Sequence, residues 1–230
     1  MAGNTGPNVV TNGLISNLDV ANLLSYPGNG TSWNDLTGNN NNGVLYNGPT
    51  YQTYNLGALL FDGTNDYCEV TFNNRSSTVN TIEMFFRWRS GSGGMFLGFS
   101  SYDIWTNESC LGFNTGAGDL YGINSNKVSE LNLTGTSNSN IHHYVFIFSN
   151  QIINNKIYID TELQTLSQIR NTTDLNANRS FTSTFKLSGW MNGTGYSING
   201  DYFNVKVYNR EISQLEIIQN FNALKGRYGL

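Results

Sequence analysis

Charge is scarce in this sequence. Asp, Glu, Lys and Arg make up only 12% of its 230 residues, roughly half the usual quarter. With 12 basic against 16 acidic residues the formal charge is -4, and no basic stripe exists to meet a phosphate backbone. A nucleic-acid partner is therefore not expected. Histidine is limited to two adjacent residues, His142 and His143. In a strand these point to opposite faces, which leaves no material for a His-based zinc site or a Ser-His-Asp triad. Cysteine is limited to Cys68 and Cys110. They allow one disulfide, but each reads better as a small buried hydrophobe. Cys68 is in phase with Val70 and Phe72, and Cys110 opens the segment CLGF.

Long apolar runs are missing too. The longest, Tyr144–Phe148, cannot span a bilayer, so no membrane partner is expected. The first residues, MAGNTGPNVVTNGLIS, lack the charged start and apolar middle of a signal peptide. Asn-x-Ser/Thr sequons at Asn29, Asn132 and Asn192 read as chance in so Asn-rich a chain. The glycines of 91–94 and 112–118 read as hairpin turns, not as a phosphate-cradling loop.

What remains is asparagine, 36 residues of it, and aromatic side chains at 13%. That aromatic content is ample for a packed core, so the low charge does not signal disorder. Short strand patterns recur along the chain with turn residues between them: GLISNL, GVLY, ALLFDG, DYCEVTF, NTIEMFFRW, GGMFLGFS, YDIW, CLGF and DLYGI, then HHYVFIFS, KIYID, LQTLSQI, TFKLSGW and YSINGDYFNVKVYN. FDGTNDY reads as a hairpin turn, and HHYVFIFS with KIYID as a second hairpin. Residues 124–140 read as a polar linker, and Asp19–Tyr26 as one helical turn stopped by Pro27. One longer helix is expected after Ser213, where Ser-Gln-Leu-Glu forms a capping box. Leu215, Ile218, Phe221 and Leu224 follow at near-helical spacing. The pattern predicts a single all-β domain, a sandwich or jelly roll, with a short C-terminal helix, preceded by an arm over 1–12.

The most irregular stretch is Ser25–Gly43, SYPGNGTSWNDLTGNNNNG. Trp33 is expected to plug it from beneath. Asp35 is expected to organise it, as a cap for its own backbone or as a cation ligand.

Three segments, SYPGNGTSWNDLTGNNNNGVL with FDGTNDYCEV, HHYVFIF with NKIYID, and DYFNVKVYNREISQLEIIQNFNALKGRYGL, together resemble the concanavalin A-like lectin/glucanase superfamily in its laminin-G-like branch. The resemblance covers about residues 13–230 and implies a two-sheet antiparallel jelly-roll sandwich over them. SYPGNGTSW paired with NFNALKGRYGL is similar to laminin-G-like domains in structural proteins of tailed bacteriophages. This implies a multimeric virion-surface protein, a capsid decoration or fibre component, with other virion proteins as partners and surface glycans as ligands. The alternative is a lectin-type module of a bacterial cell-surface protein. The resemblance also implies a structural Ca²⁺ held by Asp35 and Asp201, with Asn39 and Asn41 adding oxygens. The sequence departs from the family where Ile141 stands in place of a Trp, and where Asp201-Tyr202 replaces a pair of acids.

Glucanases of the superfamily carry their carboxyls as Glu-x-Asp-x-x-Glu, a string not found here. Asp160-x-Glu162 comes nearest, and Glu69 and Glu83 fit a solvent face. The expectation from sequence is thus no enzyme. Sugar binding would need an exposed aromatic platform with polar neighbours. Trp190, in SGWMNGTGY, is the first candidate, with Tyr196, Asn192 and Tyr102 beside it; Trp105 and Tyr121 share the same composition but fit core packing.

Overall fold

The computed structural model describes residues 7–91, 93–116, 118–133 and 140–230. Two antiparallel sheets stack face to face, eight strands in one and nine in the other. The first sheet runs β14 (Glu162–Leu163), β13 (Lys156–Ile159), β12 (His142–Ser149), β7 (Val79–Ser90), β17 (Asn199–Tyr208), β5 (Ala58–Asp62), β4 (Thr50–Gln52). Its remaining member, β1 (Leu14–Asp19), pairs with the second half of β17 while β5 pairs with the first half. The second sheet runs β15 (Ser167–Arg170), β11 (Leu120–Ile123), β10 (Cys110–Asn114), β9 (Tyr102–Asn107), β8 (Gly93–Phe99), β16 (Thr184–Leu187), β6 (Tyr67–Thr71), β3 (Gly43–Tyr46), β2 (Ser32–Trp33). The all-β sandwich expected from the strand pattern is the architecture observed.

Period-two alternation decides which side chains enter the core. On β7, Ile82, Met84, Phe86 and Trp88 face inward; on β12, Tyr144, Phe146 and Phe148 do so. Phe96, Phe99, Tyr102, Ile104, Phe113 and Phe185 meet them from the second sheet. Phe86 and Phe96 stand 4.7 Å apart and tilted, and Tyr102 meets Phe148 edge to face at 5.1 Å. Trp33 is fully buried beneath the polar loop. Cys68 and Cys110 are both buried and unpaired.

The outer face of the first sheet is not solvated. Helix α2 (Gln214–Leu224) lies across it, started by Ser213, whose hydroxyl accepts from Glu216 N while Glu216 returns a bond to Ser213 N. A shorter helix, α1 (Ser125–Glu130), interrupts what reads in sequence as a polar linker; residues 134–139 of that linker lie outside the described residues. Of the arm, residues 1–6 also lie outside. Val10 is buried, and its N–H donates to Asn220 Oδ1 on α2 at 2.7 Å.

Several local expectations are corrected. FDGTNDY is not a hairpin: β5 and β6 belong to different sheets, and the turn between them is held by side chains. Thr64 N donates to Asp62 Oδ1 at 2.7 Å, and Asp62 N to Asp66 Oδ2 at 3.1 Å. Turn chemistry was legible there, but strand partners are chosen by the core, not by the turn. Residues 163–169 similarly divide between the sheets. Asp19 ends β1, and residues 20–25 form turns rather than a helix. Leu215 is 78% exposed, and the buried face of α2 is Ile217, Asn220, Ala223 and Leu224. The rotation brings Asn220 onto Glu83. That glutamate is fully buried under the helix, not on a solvent face, with Lys206 Nζ at 3.0 Å from Oε1.

Candidate functional site

The open face of the second sheet carries the candidate site. On β9 the core side chains Tyr102 and Ile104 alternate with Asp103 and Trp105, so the latter pair faces outward. Across β10, Asn114 stands opposite Asp103 and Gly112 opposite Trp105. Across β8, Gly98 stands opposite Asp103. A methyl group on Gly98 would meet Asp103 Oδ1 at 2.0 Å, so a residue with no side chain is what lets the carboxyl lie flat over the sheet.

The loop between β16 and β17 closes the cleft. Gly189 N donates to Met95 O at 2.9 Å, and Met95 N to Tyr196 O at 2.7 Å, so the loop is stitched to β8 at both ends. Lys186 Nζ donates to Trp190 O at 3.1 Å and sits 4.1 Å above the Tyr67 ring. Gly193 leaves room for the Trp190 indole, which a methyl group there would approach at 3.1 Å. Asn192 ties the rim together: it accepts from Ser100 Oγ and donates to Ser101 Oγ at 3.1 Å.

The result is a cleft of about 140 Å³ lined by Met95, Trp105, Asn114, Trp190 and Tyr196 with Gly116 and Gly118. Trp105 and Tyr196 also line a neighbouring groove of about 490 Å³. The two rings meet edge to face, 6.2 Å apart at 89°. Tyr196 is 51% exposed, and Arg170 holds its guanidinium 5.6 Å from the Trp105 ring.

Asp103 is the unusual group beside this cleft. Its residue is fully buried, and Oδ1 has no hydrogen-bond partner among the described residues. Oδ2 has only a long contact, 3.5 Å, from Asn114 Nδ2. Burial pushes its carboxyl up to about 8, against a smaller lowering by Asn114. At neutral pH it is thus a neutral acid, a donor as well as an acceptor. A buried polar atom left unbonded costs free energy.

Of the residues proposed from sequence for sugar contact, Trp190 and Tyr196 come together here, and Asn192 braces the rim. Tyr102 does not join them: its ring is in the core, and its hydroxyl donates to Ser149 O at 2.6 Å. Asp103 and Asn114 were missed, although YDIW, read at period two, places Asp103 and Trp105 on one face.

The residues proposed for a cation are not brought together. Asp35 Oδ1 accepts from Asn17 N and Thr37 N, both at 2.9 Å, and Oδ2 from Thr37 Oγ1 at 2.6 Å and Asn41 N at 3.2 Å. It is a loop cap. Asn39 and Asn41 turn their amide nitrogens, not their oxygens, to Ile15 O, at 3.2 and 2.6 Å. Asp201 is fully buried and held by Arg87 at 2.6 Å and Arg89 at 3.0 Å, with Tyr54 O–H donating at 2.5 Å. Two guanidinium groups leave no place for a cation. Asn17, which Asp35 caps, pairs with Lys206; Lys206 is five residues from Asp201 along β17, about 16 Å. Among the described residues no three acidic, His or Cys side chains gather for a metal. The four residues therefore do not fit one Ca²⁺ site.

A two-sheet sandwich with an aromatic cleft on its open face is the class of protein that these observations define. No family model matches the chain, and no curated relative matches it. Solved structures do. Trypanosoma rangeli sialidase in complex with sialic acid is similar at TM-score 0.64 and 16% identity, over 96% of this chain and 35% of that one. The receptor binding domain of botulinum neurotoxin C/D mosaic serotype is similar at TM-score 0.61 and 14% identity, over 90% of this chain and 50% of that one. The botulinum neurotoxin serotype D binding domain is similar at TM-score 0.57 and 12% identity, with the same two coverages. This chain thus spans about a third to a half of the solved chains it matches. At such identities the likeness is one of fold. It also corrects the expectation of no enzyme: the sandwich recurs in sialidase chains, so the missing glucanase string does not exclude catalysis.

Proposed function

We propose that this chain is a glycan-binding module displayed on the surface of a tailed-bacteriophage virion. One observation carries the binding half: the half-buried indoles of Trp105 and Trp190 and the exposed ring of Tyr196 line one cleft. Sugars offer apolar ring faces and hydroxyl edges, and this cleft offers aromatic faces and the polar side chain of Asn114. The likeness of fold to a sialidase solved in complex with sialic acid and to a neurotoxin receptor binding domain supports this reading. The virion half rests on the resemblance of SYPGNGTSW and NFNALKGRYGL to phage structural proteins, with other virion proteins as partners in a multimeric assembly.

Two measurements test it. A glycan array should give a hit that Trp190→Ala and Trp105→Ala remove while far-UV circular dichroism stays unchanged; a silent array overturns the binding half. Mass spectrometry of purified particles should find the chain among the virion proteins, and its absence overturns the other half.

A further inference from the structure

A second cluster, under α2 on the opposite side of the sandwich, has no part in that cleft. Glu83 on β7, Lys206 on β17, Asn220 on α2 and His143 on β12 are all fully or almost fully buried. Glu83 Oε1 accepts from Lys206 Nζ at 3.0 Å and has His143 Nε2 at 3.1 Å. Its other oxygen, Oε2, accepts from Asn220 Nδ2 at 2.6 Å. One carboxylate thus bonds an amine through one oxygen and a carboxamide through the other, out of bulk water. Asn220 Oδ1 accepts from Val10 N–H at 2.7 Å, and Nδ2 also donates to Tyr208 O–H at 2.9 Å. Lys206 borders a cavity of about 230 Å³ next to Val9, Asp19 and Leu224.

These are the parts of an amide-forming centre. An amine becomes a nucleophile when a base takes its proton, and a carboxamide becomes an electrophile when a donor polarises its oxygen. We propose that Lys206 and Asn220 become joined by an intramolecular isopeptide bond, with Glu83 as the proton carrier. Glu83 takes a proton from the Lys206 ammonium. The freed Nζ lone pair attacks Cγ of Asn220, while Val10 N–H holds the developing charge on Oδ1. The Cγ–Nδ2 bond breaks, and the second Nζ proton passes through Glu83 to the departing nitrogen. Ammonia leaves through the cavity beside Lys206 as ammonium, and Glu83 returns to its carboxylate. Amine plus carboxamide gives amide plus ammonia, so no oxidant, cofactor or nucleotide is needed. The bond would tie α2 covalently to the middle of the helix-covered sheet.

The test is mass spectrometry of the purified full chain. Loss of ammonia makes the protein about 17 Da lighter than its sequence after allowing for the initiator Met. Succinimide formation at an Asn-Gly pair gives the same loss, so tryptic digestion supplies the deciding readout. A branched peptide joining the segments of Lys206 and Asn220 is expected in the wild type. It should vanish in Glu83→Gln and in Lys206→Arg, both of which should regain the full mass. Separate linear peptides carrying Lys206 and Asn220 in the folded wild-type protein overturn the proposal and leave a hydrogen-bonded network. Since the readout is taken on the wild type, a variant that fails to fold does not obscure it.

Discussion

The Tyr196 ring stands edge-on to the Trp105 indole, 6.2 Å between centroids, and each ring borders both the small cleft and the larger groove. This pair is the wall between two adjacent spaces. The loop carrying Tyr196 is fixed to β8 by backbone bonds, so the wall is built before any ligand arrives.

Removing the wall should therefore act on binding and not on folding. Tyr196 is 51% exposed, so Tyr196→Ala costs little stability. For a glycan identified on an array, isothermal titration should show at least about tenfold weaker binding. Unchanged affinity would place the ligand elsewhere.

Asp103 gives a pH signature. Its carboxyl is raised to about 8 in the fold, chiefly by burial, from the ordinary carboxyl value of 3.8. Between those values the folded state holds a proton that the unfolded state has released. Its contribution is complete below about pH 3.8, declines as pH rises to 8, and is flat above. Asp103→Asn has no proton to lose and should remove that slope. Urea unfolding of both proteins from pH 5 to 9 checks it.

Asp201 should behave as the partner of two arginines, not as a metal ligand. Asp201→Ala leaves Arg87 and Arg89 together without their anion. The cost should be about 3 kcal/mol, at the low end for a broken buried pair, because both side chains keep about a quarter of their surface, 22% and 25%. The melting temperature of the wild type should not move on adding a chelator or Ca²⁺.

At the start of α2, Ser213→Ala removes the cap and should cost about 1 kcal/mol. Glu216 closes the box. Its carboxyl is lowered to about 2, first by Arg210 and then by Ser213, against the opposing effect of burial. A lowered acid stabilises the fold above its unfolded value near 4.5 and loses that effect as pH falls towards 2. Glu216→Gln should flatten the acid limb of the stability profile, read by thermal melts from pH 5 to 2.

Asp35→Ala should loosen the loop over Trp33. It removes the acceptor for Asn17 N, Thr37 N and Asn41 N at once. A loss of about 1–3 kcal/mol is expected from the donors left unpaired, seen as faster hydrogen exchange at those amides.

Much of the architecture could be read in one dimension. The inward faces of β7 and β12 follow from alternation in NTIEMFFRW and HHYVFIFS, because a pleat repeats every two residues. The cap of α2 follows from Ser213 and Glu216, because its bonds span only three residues. The sugar-site residues Trp190 and Tyr196 could be named from their Gly-rich surroundings, but their partner Asp103 lies 87 or more positions away.

The sequence by itself determined the all-β class, the strand faces and the start of the last helix. These depend on contacts a few residues apart or on a fixed period. Only the tertiary structure decided which sheet each strand joins, as at Asp62–Asp66, where a turn that reads as a hairpin crosses between sheets. It also decided that Asp201 answers to two arginines, that Glu83 lies under α2 beside Lys206 and Asn220, and that Asp103 lies buried beside an aromatic cleft. Each of these depends on the charge and shape of residues brought from distant positions by burial of the core, an effect that is non-directional and leaves no local mark in the chain.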